Sequence, residues 1–449
     1  MNIKHIDEVR KELISELLGL LQKLPTTYRI ALIHDLYGRF KLVLWPGKEK
    51  GIEKHNRLVE ILNEKLKEFS PFIEPDSIWV SNEETPKLDK KIYDSVWDEG
   101  EPHLDEPRLR ISERYRTHGG WIDPLMAPPW KNPDRPNPEA PPVIVFYSFK
   151  GGVGRTTALA AFAIQRARTG ERVAVIDADL DAPGIGSFLA ADDKGTTAEW
   201  GVADYMLEKE LHEIDFRDYY HVCRRENVTG AGEILVIPAG RINNDYPWKL
   251  ARLDMEPFSS KDKKHQSIFY SLLDDVKKNL KPDWILIDVR AGLAVPSGIL
   301  VGGFAHLNVI FGTSSEQSWQ GLILTIQRLG ARKIEKKLPQ SDLILVHAMV
   351  PRNPDLARES EKYFSDRALD EFTELYYAEP TDNKDDENEV WTLEDIESSD
   401  APHIPVPIHY DETLTASGQI DPIAETLIKS PDYINLTERI LSHFGELLP

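Results

Sequence analysis

Cysteine is almost absent: Cys223 is the single one in 449 residues. It cannot close an internal disulfide, which agrees with a reducing compartment, and it excludes a cysteine-built zinc site. Long apolar runs are missing as well, none approaching the roughly 20 residues that cross a bilayer as a helix. The opening stretch, MNIKHIDEVRKEL, lacks the apolar core of a signal peptide. Together these absences predict a cytoplasmic location. Positive charge is in deficit, with 54 Lys and Arg against 75 Asp and Glu for a net charge of −21. Such a chain repels phosphate backbones and anionic headgroups, so binding to nucleic acid or a membrane surface needs a local basic patch and is not expected. The histidines show no metal-ligand spacing, no G-x-S-x-G marks a serine hydrolase, and no internal repeat is present.

What is present is ordinary globular material. The 41% apolar fraction and the length predict two or three domains with at least one full core. Val9, Leu13, Leu17, Leu20 and Leu24 recur at helical spacing, a mixed apolar stretch follows, and Ile52 to Phe69 is helical again. Residues 1–120 therefore read as a small mixed accessory domain. Eight prolines between 124 and 142 remove backbone donors and favour extended geometry, so 121–142 reads as a semi-rigid Pro-rich linker. From 143 to 449 short apolar, β-branched runs (VIVFYSF, RVAVIDAD, ILVIPAG, DWILIDV, HLNVIFG, DLILVHAMV) alternate with helical segments. That alternation predicts an α/β fold with a doubly wound, mainly parallel sheet. Within it, 381–400 is rich in Asp and Glu and is expected to be a solvated acidic insertion.

The chemistry concentrates in FKGGVGRTT, Phe149 to Thr157, placed directly after the first of these strands and before a helix. Glycines at 151, 152 and 154 let consecutive N–H groups turn towards a phosphate, and the helix adds its positive end. The strict pattern G-x-x-x-x-G-K-[ST] fails at Phe149, where its first glycine would stand, and at Arg155, where its lysine would stand.

The segment KGGVGRTT resembles the deviant Walker A motif of the ParA/MinD group (SIMIBI class) of P-loop ATPases. VIDADLDAP resembles the group's switch I segment and ILIDVRAG its Walker B and switch II. The resemblance implies ATP and Mg²⁺ as ligands, ATP hydrolysis, and a nucleotide-dependent homodimer. Lys150 matches the signature lysine that reaches the phosphates bound by the other subunit. Gly151, Gly152, Val153, Gly154, Arg155 and Thr157 match the phosphate cradle, and Thr156 and Asp288 match the Mg²⁺-holding hydroxyl and carboxylate. Asp179 matches the carboxylate that orients the attacking water, with Asp177 in support, and Gly292 matches the glycine whose N–H senses the γ-phosphate. By the same analogy the base contacts fall at His347 to Asn353 and Val406 to Glu412, just after the last two strands. Arg155 keeps the charge of the usual lysine in a bulkier planar fork, so nucleotide binding is expected to survive and hydrolysis to be slow. Arg290, where the group more often has proline, is expected to make an ordinary surface salt bridge.

The resemblance implies a nucleotide-controlled dimerisation switch that signals to an unidentified protein partner through residues 1–120, and, by analogy with related proteins that carry KGGVGRTT, a place in a bacterial signalling or conflict system. Two alternatives remain at this level: a kinase resembling the bacterial tyrosine kinases, whose second Walker segment VIDADLDAP also resembles but which carry a tyrosine-rich tail where this chain has Tyr433 alone, and a nucleotide-sensing scaffold without turnover. At the C-terminus Leu436, Ile440, Leu441, Phe444, Leu447 and Leu448 share a helical face. With no lysine on its polar side, that helix is expected to pack into the core rather than lie on a membrane.

Overall fold

A computed structural model describes residues 5–35, 38–46, 52–70, 72–73, 77–83, 85–114, 120–121, 128–131, 139–209, 211–253, 268–330, 342–379, 391–415 and 420–445. The chain divides into two compact units, 1–117 and 118–449.

In the first unit a five-stranded sheet has the order β3-β2-β1-β5-β4. Strands β1 (Arg29–His34) and β2 (Phe40–Trp45) form an antiparallel hairpin. Strands β3 (Ile78–Val80) and β5 (Leu109–Glu113) flank it in parallel, and β4 (Glu101–Pro102) closes the edge. Side-chain alternation splits β1 between two cores. Ile30 and Leu32 meet Val9, Leu13, Leu17 and Leu21 of α1 (Ile6–Leu21) and Leu62 and Leu66 of α2 (Ile52–Leu66), whereas Ala31 and Ile33 share a cluster with Val96 of α3 (Lys87–Glu99).

The second unit is built on an eight-stranded sheet of order β13-β12-β11-β6-β10-β7-β9-β8. Its strands are β6 (Val143–Ser148), β7 (Arg172–Ala178), β8 (His221–Cys223), β9 (Glu233–Ile237), β10 (Trp284–Val289), β11 (Leu307–Gly312), β12 (Asp342–Val350) and β13 (Val406–His409). All neighbours are parallel except β8 and β9. The main helices are α4 (Arg155–Arg168), α5 (Ile268–Leu280), α6 (Val295–Gly303), α7 (Glu316–Leu329), α8 (Pro354–Leu375), α9 (Asp421–Lys429) and α10 (Pro431–His443). Val143, Val145 and Tyr147 of β6 join the core shared with α5, α6, α7 and α8, while Ile144 and Phe146 join the one shared with α4, α9 and α10. Burial on both faces is why these strands read as continuous apolar runs. The second unit has the doubly wound α/β fold that the alternation predicts, and the first unit carries a small mixed sheet of its own.

Three segments differ from expectation. Trp121 and Trp130, within the stretch read as a linker, lie against the core of the second unit. Their indole N–H groups donate to Ala294 O and Pro141 O, each at 3.0 Å. Trp391, Leu393 and Ile396, within the stretch read as a solvated acidic insertion, pack on that same core, and the Trp391 indole donates to Asp342 Oδ1 at 3.0 Å. A few apolar side chains outweigh the acidic composition there, and residues 381–390 lie outside the described ones. Val406 to His409 forms the edge strand β13 itself, because its short alternating pattern pairs with β12. At the C-terminus Leu436, Ile440, Leu441 and Phe444 are buried in the core, as their spacing predicts; Leu447 and Leu448 lie outside the described residues. Among the described residues no helix is long and apolar enough to cross a membrane.

Candidate functional site

The loop after β6 lies where the sheet's connections diverge, at the carboxyl ends of parallel strands, the usual ligand crevice of open α/β sheets. Gly152 and Gly154 turn it through left-handed backbone, φ +73° and +82°, which glycine adopts without a side-chain penalty. Val153 buries itself beneath the turn while Lys150, Gly151 and Gly152 stay exposed. Gly154 then starts α4, whose first turn carries no acidic residue and, among the described residues, no capping side chain. Its orphan N–H groups are thus available to an anion.

Phe149 explains the first departure from the strict loop pattern. Its ring lies over Gly321 of α7, where an added Cβ would fall 1.8 Å from Phe149 Cγ. The aromatic ring anchors the start of the loop to a helix that comes more than 160 residues later, and only glycine on that helix leaves room for it. Gly321 was not identifiable from the sequence, since an isolated glycine in a helical pattern carries no partner information.

On one flank, over β10 and β7, charged groups converge. Arg155, 8% exposed, donates from Nε to Asp288 Oδ1 at 2.6 Å, from NH2 to Asp179 Oδ2 at 3.2 Å, and from NH1 to Ser148 Oγ at 3.4 Å. Thr156 Oγ1 donates to Asp288 Oδ2 at 2.6 Å. Asp177 stands beside Asp288 in strand register and accepts from the backbone N–H groups of Asp179, Gly184 and Gly186 at 3.2–3.3 Å. Burial, reinforced by the neighbouring Asp288 and Asp179 charges, pushes the Asp177 carboxyl up to about 8. Burial also raises Asp288, against the opposing pull of the Arg155 guanidinium and the Thr156 hydroxyl. Arg155, Thr156, Asp179 and Asp288 are therefore brought together; Thr157 lies half-buried in the same first turn of α4.

Gly292, at φ +80°, donates its N–H to Ser148 O at 3.1 Å, and its own carbonyl accepts from the Tyr147 hydroxyl at 3.2 Å. The amide expected to sense a γ-phosphate is thus engaged by the backbone at the end of β6. Arg290 pairs with Asp181, joining the segment after β10 to the one after β7, with both side chains about half exposed. This is the surface ion pair that exposure predicts.

On the other flank, over β11 and β12, a cavity of about 410 Å³ opens beside the loop. Lys150, Gly151, Gly152 and Val153 line one side; Thr313, Ser314 and Ser315 after β11, His347 to Met349 and Pro351 at the end of β12, and Ser360 of α8 line the rest. His347, 1% exposed, stacks on Phe364 with ring centroids 4.2 Å apart, and its Nε2 lies 3.0 Å from the Ser314 hydroxyl and 3.3 Å from that of Ser360. Burial first, then the His409 charge, pushes the imidazole down to about 4, so it is neutral at physiological pH. Met349 is held at φ +61°, and the β12–β13 register shifts at this point. Positive φ in a non-glycine residue costs on the order of 1 kcal/mol and clusters at ligand sites. Of the two segments expected to meet a base, the first lines this cavity; Val406 to Glu412 does not appear on its walls. Thr313 to Ser315 and Ser360 were missed, although a run of small polar residues ending a buried strand is a usable signal.

A dry, two-sided parallel sheet, a glycine turn at its carboxyl edge, a cavity on one flank and carboxylates on the other define a P-loop nucleotide-binding protein. Residues 144–363 match the CobQ/CobB/MinD/ParA nucleotide binding domain family. This stretch is thus similar to the nucleotide binding domain of that family. No curated protein matches the sequence. Among solved structures, the chain is similar to a plasmid partition protein of Borrelia burgdorferi B31 bound to AMPPNP, at 17% identity and a TM-score of 0.41, over 68% of this chain and 98% of that one. It is similar to the MinC:MinD cell division complex of Aquifex aeolicus at 17% identity and 0.41, over 69% and 97%, and to the Pyrococcus furiosus cell division ATPase MinD at 19% and 0.40, over 67% and 99%.

Proposed function

We propose that the domain binds ATP with Mg²⁺ and hydrolyses it as a dimerisation switch that signals to a partner protein through residues 1–117. The observation that carries this reading is the convergence of Arg155, Thr156, Asp179 and Asp288 beneath an uncapped glycine turn, with Lys150 exposed at its lip. Amides of Gly151 to Thr157 cradle the phosphates, and the neighbouring cavity takes the base and sugar.

The donors present suit Mg²⁺: one carboxylate and one hydroxyl 2.6 Å apart, both hard oxygens. Among the described residues no group of three or more acidic, histidine or cysteine side chains forms a ready metal cage, which agrees with an ion that completes its shell with water and phosphate. Mg²⁺ held there supplies neutralisation of charge on the transferring phosphoryl oxygens. Asp179 orients the attacking water, Arg155 pairs with terminal phosphate oxygens, and Lys150 reaches the phosphates of a second copy. Movement of the segment after β10 frees the Gly292 amide from Ser148, which couples the γ-phosphate to the shape of the dimer face.

Size-exclusion chromatography with and without AMPPNP tests the switch. Wild type is expected to shift to a dimer and Lys150→Ala to remain a monomer; elution unaffected by nucleotide in both would defeat it. Release of free phosphate from labelled ATP tests turnover. A non-hydrolysing scaffold is the second reading, favoured by the pinning of Arg155 between two carboxylates, and tight binding without phosphate release would establish it. The kinase alternative is weakened by burial of Tyr433 in the core.

A further inference from the structure

Arg155 sits where a cation belongs. Its guanidinium lies between Asp288 Oδ1 and Asp179 Oδ2, with Ser148 Oγ on its third edge, while Asp288 Oδ2 takes the Thr156 hydroxyl. The group is buried. A planar fork can serve two carboxylates at once, which a compact ammonium in the same position does poorly. A divalent ion at Asp288 and Thr156 would have to take the same carboxylate lone pairs and bring a further two charges against a buried guanidinium. The side chain is rooted at the first residue of α4, however, beside the uncapped amides that attract phosphate. A polyphosphate seated on the loop offers it an alternative set of anionic oxygens within reach of its own backbone.

We propose that Arg155 is an internal counter-ion that keeps a divalent cation out of the Asp179, Asp288 and Thr156 cluster until a polyphosphate draws the guanidinium away, so that metal and triphosphate enter together. The inference rests on the nucleotide-site reading above and adds an order of binding to it. Because Arg155 also pairs with phosphate in that reading, turnover does not isolate this role; metal affinity in the absence of nucleotide does.

Mn²⁺ alone, followed by loss of the free-ion electron paramagnetic resonance signal, is the probe, with full-length wild type, Arg155→Lys and Arg155→Gln. Wild type is expected to bind Mn²⁺ appreciably only when AMPPNP is present, the binding being the loss of signal beyond that which the same AMPPNP causes without protein. Without nucleotide, Arg155→Gln should bind Mn²⁺ at least about tenfold more tightly than wild type, the change expected when one strong competing interaction is removed, with Arg155→Lys between them. Adding Asp288→Asn to Arg155→Gln should abolish the gain; a gain that survives it overturns the proposal. Equal Mn²⁺ affinity of wild type and Arg155→Gln also overturns it. Should Arg155→Gln fail to fold, Arg155→Lys against wild type decides, a gain supporting the proposal and none refuting it. Wild type that binds Mn²⁺ with AMPPNP while neither variant gains affinity without it sinks the inference alone. Wild type that ignores Mn²⁺ even with AMPPNP sinks the nucleotide-site reading and the inference with it.

Discussion

Replacing Gly321 by alanine pushes a methyl group into the anchor of the phosphate loop. The new Cβ would lie 1.8 Å from Cγ and 2.3 Å from Cβ of Phe149, where ordinary contact begins near 3.4 Å, so the ring must retreat by about 1.6 Å. Rotating the ring is not enough, because Phe149 Cβ is itself too close; the backbone at residue 149 has to move. That residue links β6 to the glycine turn, and α7 is held in place from its other face by Trp319, Leu322 and Ile326 in the core. Overpacking of this kind costs about 1–3 kcal/mol. Displacement of the turn should also break one or two amide contacts to phosphate, raising the Kd for AMPPNP roughly tenfold or more. Calorimetric titration and thermal unfolding of Gly321→Ala, Phe149→Ala and the double variant form a double-mutant cycle. The double variant is expected to recover only part of the stability lost in Gly321→Ala: the clash with the ring is gone, but the alanine at 149 keeps the Cβ that stands 2.3 Å from the new methyl, so the backbone at residue 149 must still shift. If Gly321→Ala melts like wild type and binds AMPPNP with unchanged affinity, Phe149 does not anchor the loop and the argument fails.

Acid should loosen the attachment of residues 128–131 through His306. That ring is 3% exposed; its Nδ1 accepts from Val143 N–H at 2.9 Å and its Nε2 therefore donates to Trp130 O at 2.9 Å. Burial pushes it down to about 4, so the unfolded chain takes the proton first as pH falls. Its stabilising contribution is complete above about 6.5 and is lost on descending towards 4, about 3 kcal/mol in all. Denaturant titrations of wild type and His306→Asn across that range should converge as pH drops; parallel curves would refute the assignment. Arg290→Ala should change unfolding free energy by less than about 1 kcal/mol, since its pair with Asp181 is half exposed, and a larger loss by the same titration would mean that the pair holds the two segments together.

The strand runs, the helices between them and the glycine turn are local properties, and the sequence alone determined them. β-branched continuity marks strands covered on both faces, and three glycines before a helical run mark a backbone that must curl. Lys150, Thr156, Asp179 and Asp288 were singled out through the resemblance of KGGVGRTT, VIDADLDAP and ILIDVRAG to the ParA/MinD motifs, and their roles stand as proposals. Contacts between distant segments were not legible. Only the tertiary structure decided that Phe149 lies on Gly321, that Arg155 is shared by one carboxylate in β10 and another just after β7, and that Thr313 to Ser315, His347 and Ser360 close a cavity beside the loop. It also placed Trp121, Trp130 and Trp391 on the core, although proline and acidic residues dominate the composition around them. Periodicity reports which face of an element seeks burial; strand order in the sheet selects the partner it meets there.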